Sequence, residues 1–201
     1  MKLYYSPGAC SLAPHIVLRE SGLAFDLVRT STKTHKMEDG TDFYAINPKG
    51  AVPVLEIANG ERLTEAPVVL QYIADQVPQK QLVPPAGTMA RYRVQEWLNY
   101  VTSELHKAFG PMFSPATPPE AKEMFKGWLG PRLKWVDSQL AGKQYLTGDT
   151  FTVADAYLYT VVNWTKHVGV PTDDLPNLLA FMARVGARPA VGEALKAEGL
   201  V

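Results

Sequence analysis

Cys10 is the only cysteine among 201 residues. It stands between the turn residues Ser6-Pro7-Gly8 and a run from Ser11 to Ser21 that carries Leu12, His15, Ile16 and Arg19 at helical spacing. A cysteine at a helix start meets unpaired N–H groups and the positive end of the helix, which stabilise a thiolate of the protein or of a ligand. The inert alternative is a small core residue. Ala13 occupies the position where C-x-x-C would need its second cysteine, so any redox chemistry must borrow a thiol from outside the chain. Ser11 and Tyr5 offer hydroxyls near the same turn; their plain roles are a helix cap and a half-buried strand residue.

Three further groups have chemical potential. Asn99, Ser103, His106 and Lys107 fall on one stripe of a helix whose other face holds Val94, Trp97, Leu98, Val101 and Leu105, an arrangement that suits a polar ligand or simply a wet helix face. Glu65-Ala66 opens a helix at Pro67, where backbone N–H groups attract a carboxylate and the Glu65 side chain accepts from an ammonium. A helix-start glutamate complementing the macrodipole is the plain reading. Val52-Pro53 opens a strand, and a cis peptide there would expose the Val52 backbone to an extended peptide, although trans is the default from sequence. No metal-ligand spacing, phosphate-cradling glycine loop or Ser-His-Asp signature occurs, and His35 and His167 have no partner pattern.

The elements that must position these residues read in order. Lys2 to Ser6 and Ala24 to Thr30 are strands around the first helix, which ends at Gly22. Residues 32–50 are turn-rich and hold a loop and a short helix ending at Asn47-Pro48-Lys49-Gly50. Val52 to Ile57 and Arg62 to Thr64 flank Asn59-Gly60, read as a two-residue hairpin turn. The Pro67 helix runs to about Asp75, and Val77 to Thr88 is a Pro-rich linker. The rest carries apolar residues at three-and-four spacing and is expected to be all helix, with a capping box at Thr152 to Asp155.

Composition narrows the classes further. With 46% apolar residues the chain buries one ordinary core or two small ones. Twenty basic and twenty acidic residues leave no net field to gather nucleic acid or an anionic membrane. No apolar run approaches the roughly 20 residues needed to span a bilayer. With no signal-type apolar region after Lys2 and a single cysteine, the expected location is the cytoplasm.

These segments resemble bacterial beta-class glutathione transferases over essentially the whole chain. The resemblance rests on Tyr4 to Leu12, Asn47 to Pro53, Leu63-Thr64-Glu65, Glu96 to Tyr100, Ser103 to Lys107 and Phe151 to Tyr157. It implies an α/β plus all-α fold: a thioredoxin-like domain at 1–80 with cis Pro53, a linker at 81–87, and a helical domain at 88–201 forming the electrophile pocket. It further implies conjugation of the glutathione thiol to small, mostly hydrophobic electrophiles, with thiol–disulfide exchange through Cys10. Cys10 and His106 are the implied catalytic residues. Glutathione is the implied co-substrate, without metal or nucleotide, bound by Cys10, His35, Val52, Pro53, Glu65, Ala66, Asn99, Ser103, Glu104 and His106, some of these across a homodimer. The family has glycine or serine at position 66 and lysine at 35, so Ala66 offers only its N–H and the glycyl carboxylate falls to His35 or Lys36. Phe109, Met112, Phe113 and Trp164 are the expected pocket lining. The competing reading is a non-catalytic binding or stress-response module of the same fold.

Overall fold

The computed structural model describes residues 1–201, which divide into two compact units, Met1–Val83 with Arg188–Val201, and Pro84–Ala187. In the first unit, β1 (Lys2–Tyr5) leads through α1 (Leu12–Ser21) into β2 (Asp26–Arg29), which pairs parallel to β1. A parallel pair requires such a crossover, and the helix supplies it. Strands β3 (Val54–Glu56) and β4 (Arg62–Thr64) complete a four-stranded sheet in the order β2-β1-β3-β4, with β3 antiparallel to both neighbours. Leu3 lies opposite both Leu27 and Leu55 and is itself fully buried with Leu55, Ile16 and Val17. Helix α2 (Ala66–Asp75) packs against α1.

The hairpin loop is one residue longer than the sequence reading. The Gly60 N–H donates to Ile57 O at 3.0 Å and the Ile57 N–H to Glu61 O at 2.9 Å. Only Gly60 of the pair has positive φ, at 82°. Ala58-Asn59-Gly60 is therefore a three-residue loop that places its glycine in the left-handed position.

The second unit contains α3 (Met89–Tyr100), one π-helical stretch (Val101–His106), α4 (Lys107–Phe113), α5 (Pro119–Leu140), α6 (Val153–Val162), α7 (Thr165–Val168) and α8 (Pro176–Gly186). All ten residues of α6 are buried, as suits a helix apolar on every side. Its start is held by Asp155, whose carboxylate accepts from the Leu146 N–H at 2.8 Å, the Thr152 N–H at 2.7 Å and the Thr152 hydroxyl at 2.9 Å. Burial nevertheless pushes its carboxyl up to about 6, the three bonds opposing the shift. No helix is long and apolar enough to cross a membrane.

The last helix, α9 (Pro189–Ala197), belongs to the first unit, whereas the sequence reading assigned it to the helical domain. Polar bonds account for this. Arg188 grips Glu20 through two nitrogens at 2.6 and 3.0 Å. Glu198 takes the His15 ring at 2.8 Å and the Gly8 N–H at 2.9 Å. Arg19 Nε donates to His15 Nε2 at 3.4 Å, which leaves Nδ1 as the donor to Glu198. The tail thus reaches the turn that carries Cys10.

Candidate active site

The Cys10 turn is braced from within. Ala9 N–H donates to Ser6 O at 3.0 Å, and the Ser11 hydroxyl both accepts from Ser6 N–H at 3.1 Å and donates to Ser6 O at 3.2 Å. Ser11 is fully buried and makes no side-chain cap bond to α1, so its role is to close the turn. Cys10 itself is half-buried against a cluster of Tyr4, Phe43, Val52 and Val54. Its thiol donates to Val52 O at 3.1 Å.

That environment reverses the expected effect of the helix start. Burial pushes the Cys10 thiol up to about 12; the Cys10 and Ser11 N–H groups oppose this without overcoming it, and nearby Glu65 adds to the rise. As it stands, the sulfur is a protonated donor.

The Val52-Pro53 peptide bond is cis, against the default from sequence and in line with the resemblance. It lies just before β3, an inner strand of the sheet, so Val52 stands at that strand's N-terminal end. The neighbouring loop is built on close approach: Gly50 has φ 65°, and a Cβ there would sit 2.7 Å from the Tyr44 ring. His35, at φ 52°, stacks on Tyr44 with centroids 4.7 Å apart and bonds Gly50 O through Nδ1 at 3.1 Å. Because that carbonyl only accepts, His35 Nδ1 is the donor, which leaves Nε2 on the far side of the ring. Lys36 stays exposed.

Glu65, the residue before α2, sits at φ 66°, an uncommon conformation for a side chain other than glycine. Its carboxylate pairs with Lys49 Nζ at 2.5 Å, and Lys49 also reaches Thr64 Oγ1 at 2.8 Å. Val68 and Val69 N–H groups return to Glu65 O at 3.0 Å each. The Ala66 N–H remains one of the unpaired donors of a helix start. The first unit therefore brings Cys10, His35, Val52, Pro53, Glu65 and Ala66 into one neighbourhood.

In the second unit, the π-helical stretch Val101–His106 rephases the helix and splits the polar stripe. Asn99, Ser103 and Lys107 remain exposed. Glu104 bonds Arg132 Nε at 2.8 Å. His106 turns inward, its Nδ1 2.6 Å from the Tyr157 hydroxyl and its ring edge-on to Trp164 at 4.9 Å. Phe109 and Phe113 pack edge-on against the same indole at 5.7 and 5.9 Å. Phe109, Met112 and Trp164 are all buried, so of the four expected lining residues only Phe113, half exposed, stands at an open surface. Sequence reasoning gave no role to Lys49, Arg132 or Tyr157. A tyrosine within the otherwise apolar α6 was the available signal, since a buried phenol needs a partner.

A thioredoxin-like sheet carrying a cis proline beside a helix-start cysteine, together with a helical unit, defines the class. Residues 8–76 match the model for the glutathione S-transferase N-terminal domain and residues 100–189 that for its C-terminal domain. The chain belongs to the glutathione S-transferase family. It is 47% identical over 200 residues to glutathione S-transferase GstA of Escherichia coli O157:H7, with all of both chains covered. Among solved structures it is similar to a bacterial beta-class glutathione S-transferase of Sphingomonas chungbukensis, at TM-score 0.97 and 49% identity with full coverage of both. It is equally similar to a sphingomonad glutathione S-transferase complexed with glutathione, at TM-score 0.96 and 48% identity, again over both whole chains.

Proposed function

We propose that the chain conjugates the thiol of glutathione to small, mostly apolar electrophiles and exchanges glutathione disulfides through Cys10. The observation that carries this reading is the Val52 backbone beside cis Pro53, with the Cys10 thiol on its carbonyl and Glu65-Ala66 at the start of α2. An extended γ-glutamyl-cysteinyl-glycine would pair with Val52 as an added strand. Its head group would meet Glu65 and the Ala66 N–H, completed by Asn99, Ser103 and Glu104 of a homodimer. Its glycyl carboxylate would fall to His35 or Lys36. The domain boundary at 81–87 then separates the peptide half from the electrophile half.

Conjugation forms a C–S bond from the glutathione sulfur while the thiol proton passes to water; at an aryl halide the halide departs with the bonding pair, and at an enone the α-carbon takes up a proton in return. The N–H groups at the start of α1 stabilise the developing thiolate, and His106 adds a polar contact. In exchange, Cys10 must first release Val52 O and lose its proton. Its sulfur then attacks one sulfur of glutathione disulfide, forming the protein–glutathione disulfide and expelling one glutathione thiolate, with no outside oxidant.

A second copy is supported by exposed apolar side chains of the helical unit, among them Met89, Tyr92, Trp128 and Trp135, and by a cleft of about 550 Å³ whose lining sets Trp97, Tyr100 and Trp135 among Arg93, Glu96 and Lys143. The even charge balance and lone cysteine favour a cytoplasmic enzyme without nucleic-acid or membrane partners. Titration calorimetry with glutathione, followed by turnover with a panel of aryl halides, enones and mixed disulfides, tests the reading. Glutathione binding without turnover of any electrophile or disulfide favours the non-catalytic module; no binding at all sinks the reading.

A further inference from the structure

The Asn47-Pro48-Lys49-Gly50 segment is built more tightly than an ordinary loop. Asn47 is buried; its side chain donates to Ala51 O at 2.7 Å and accepts from the Lys49 N–H at 3.2 Å, while the Gly50 N–H returns to Asn47 O at 2.8 Å. The base of Lys49 is therefore fixed, and its ammonium lies against Glu65 and Thr64. Both partners are about half exposed or more, with side chains 51% and 65% accessible. An ion pair this wet adds little to folding stability.

What the pair does provide is one positive and one negative group side by side at the start of α2. Glu65 engages Lys49 through Oε1, and Oε2 carries no bond within the chain. Ala66, the next residue, has no side-chain donor, only its N–H. We infer that Lys49 is a specificity residue of the γ-glutamyl site, its ammonium taking the α-carboxylate of the head group while Glu65 takes the α-ammonium. The ligand's two opposite charges match the two on the protein, so each ion exchanges one partner for another without leaving an orphan charge. The left-handed backbone at Glu65 fits this arrangement, because strained positions cluster at ligand clamps. The inference rests on the glutathione reading above.

The test compares two ligands on the whole protein by titration calorimetry: glutathione, and the analogue whose first residue is γ-aminobutyrate, which lacks only the α-carboxylate. The wild type is expected to prefer glutathione by about tenfold or more, the size of one charge-assisted hydrogen bond at a wet site. Lys49→Met should weaken glutathione by about that factor and leave the analogue within about twofold, so that the preference collapses. Lys49→Arg should keep most of it. In turnover, Lys49→Met should raise KM for glutathione at unchanged kcat, since the lost contact is the same in ground and transition states. Equal weakening of both ligands by Lys49→Met would overturn the inference and reduce Lys49 to a support for Glu65. An unchanged preference would overturn it too. A wild type that binds neither ligand overturns the glutathione reading itself, a result separable from the other two.

Discussion

Cys10 and Asp155 sit at the starts of two helices, α1 and α6, each with an acidic side chain facing backbone N–H groups, and in both burial wins. The thiol rises to about 12 and the carboxyl to about 6 despite donors that favour their charged forms. A helix start orients a group; it does not ionise one that is out of water. The two differ in what surrounds them. Asp155 is fully buried and its oxygens serve three donors from two residues, so it is fastened for the fold. Cys10 makes one bond, to a carbonyl that a peptide ligand would also use, and it is half-buried on a turn. The first is a closed joint, the second an open one.

The largest expected effect lies at the open joint. Cys10→Ala should take no glutathione adduct from glutathione disulfide, where the wild type takes one by intact mass, because no other cysteine exists. Conjugation should survive in good part, since it uses the ligand's sulfur; its complete loss would show that the two activities share Cys10. Next in size is alkylation of the free enzyme. With a thiol near 12, the thiolate at pH 7 is about a thousandfold scarcer than for an ordinary cysteine. Iodoacetamide should accordingly react slowly, with a rate that climbs about tenfold per pH unit up to pH 10. A rate that levels off by about pH 9.5 would mean that the sulfur ionises normally and the joint is already open.

At the closed joint the readout is stability. Asp155→Ala strands three donors and should cost about 3 kcal/mol in urea unfolding. The sign of the pH effect follows from the raised carboxyl. The folded state holds the proton more tightly than the unfolded one, so this group's stabilising contribution is full below about pH 4 and fades as pH rises through about 6, by about 2–3 kcal/mol. Asp155→Asn, which cannot titrate, should therefore compare better with wild type at pH 7 than at pH 4.5. A gap that widens with pH would mean that the three hydrogen bonds hold the carboxyl down after all. The smallest effect is expected at Tyr157→Phe. It removes the 2.6 Å bond to His106 without leaving a cavity, for about 1 kcal/mol of stability, and it frees the imidazole to move. A drop in turnover larger than that in His106→Ala would make Tyr157, and not His106, the group that matters.

The sequence by itself determined the order of the elements, the helix-start placement of Cys10 and Glu65, and the capping of α6, because each is written in neighbours a few residues apart; the cis Val52-Pro53 bond it indicated only through the family resemblance. It also carried enough ordered motifs to indicate the family. Only the tertiary structure decided the state of each group. The Cys10 thiol is protonated because Tyr4, Val52 and Val54 pack around it from distant positions. The polar stripe at 99–107 splits because six residues adopt a π-helical turn that heptad-like spacing does not reveal. Ser11 closes a turn and does not cap a helix, and the C-terminal helix joins the first unit because Glu198 finds His15 and Gly8 more than 180 positions away. Periodicity and caps are local, whereas burial and ion pairing depend on which distant residues arrive, and in this chain those arrivals set the protonation and reach of the chemical groups.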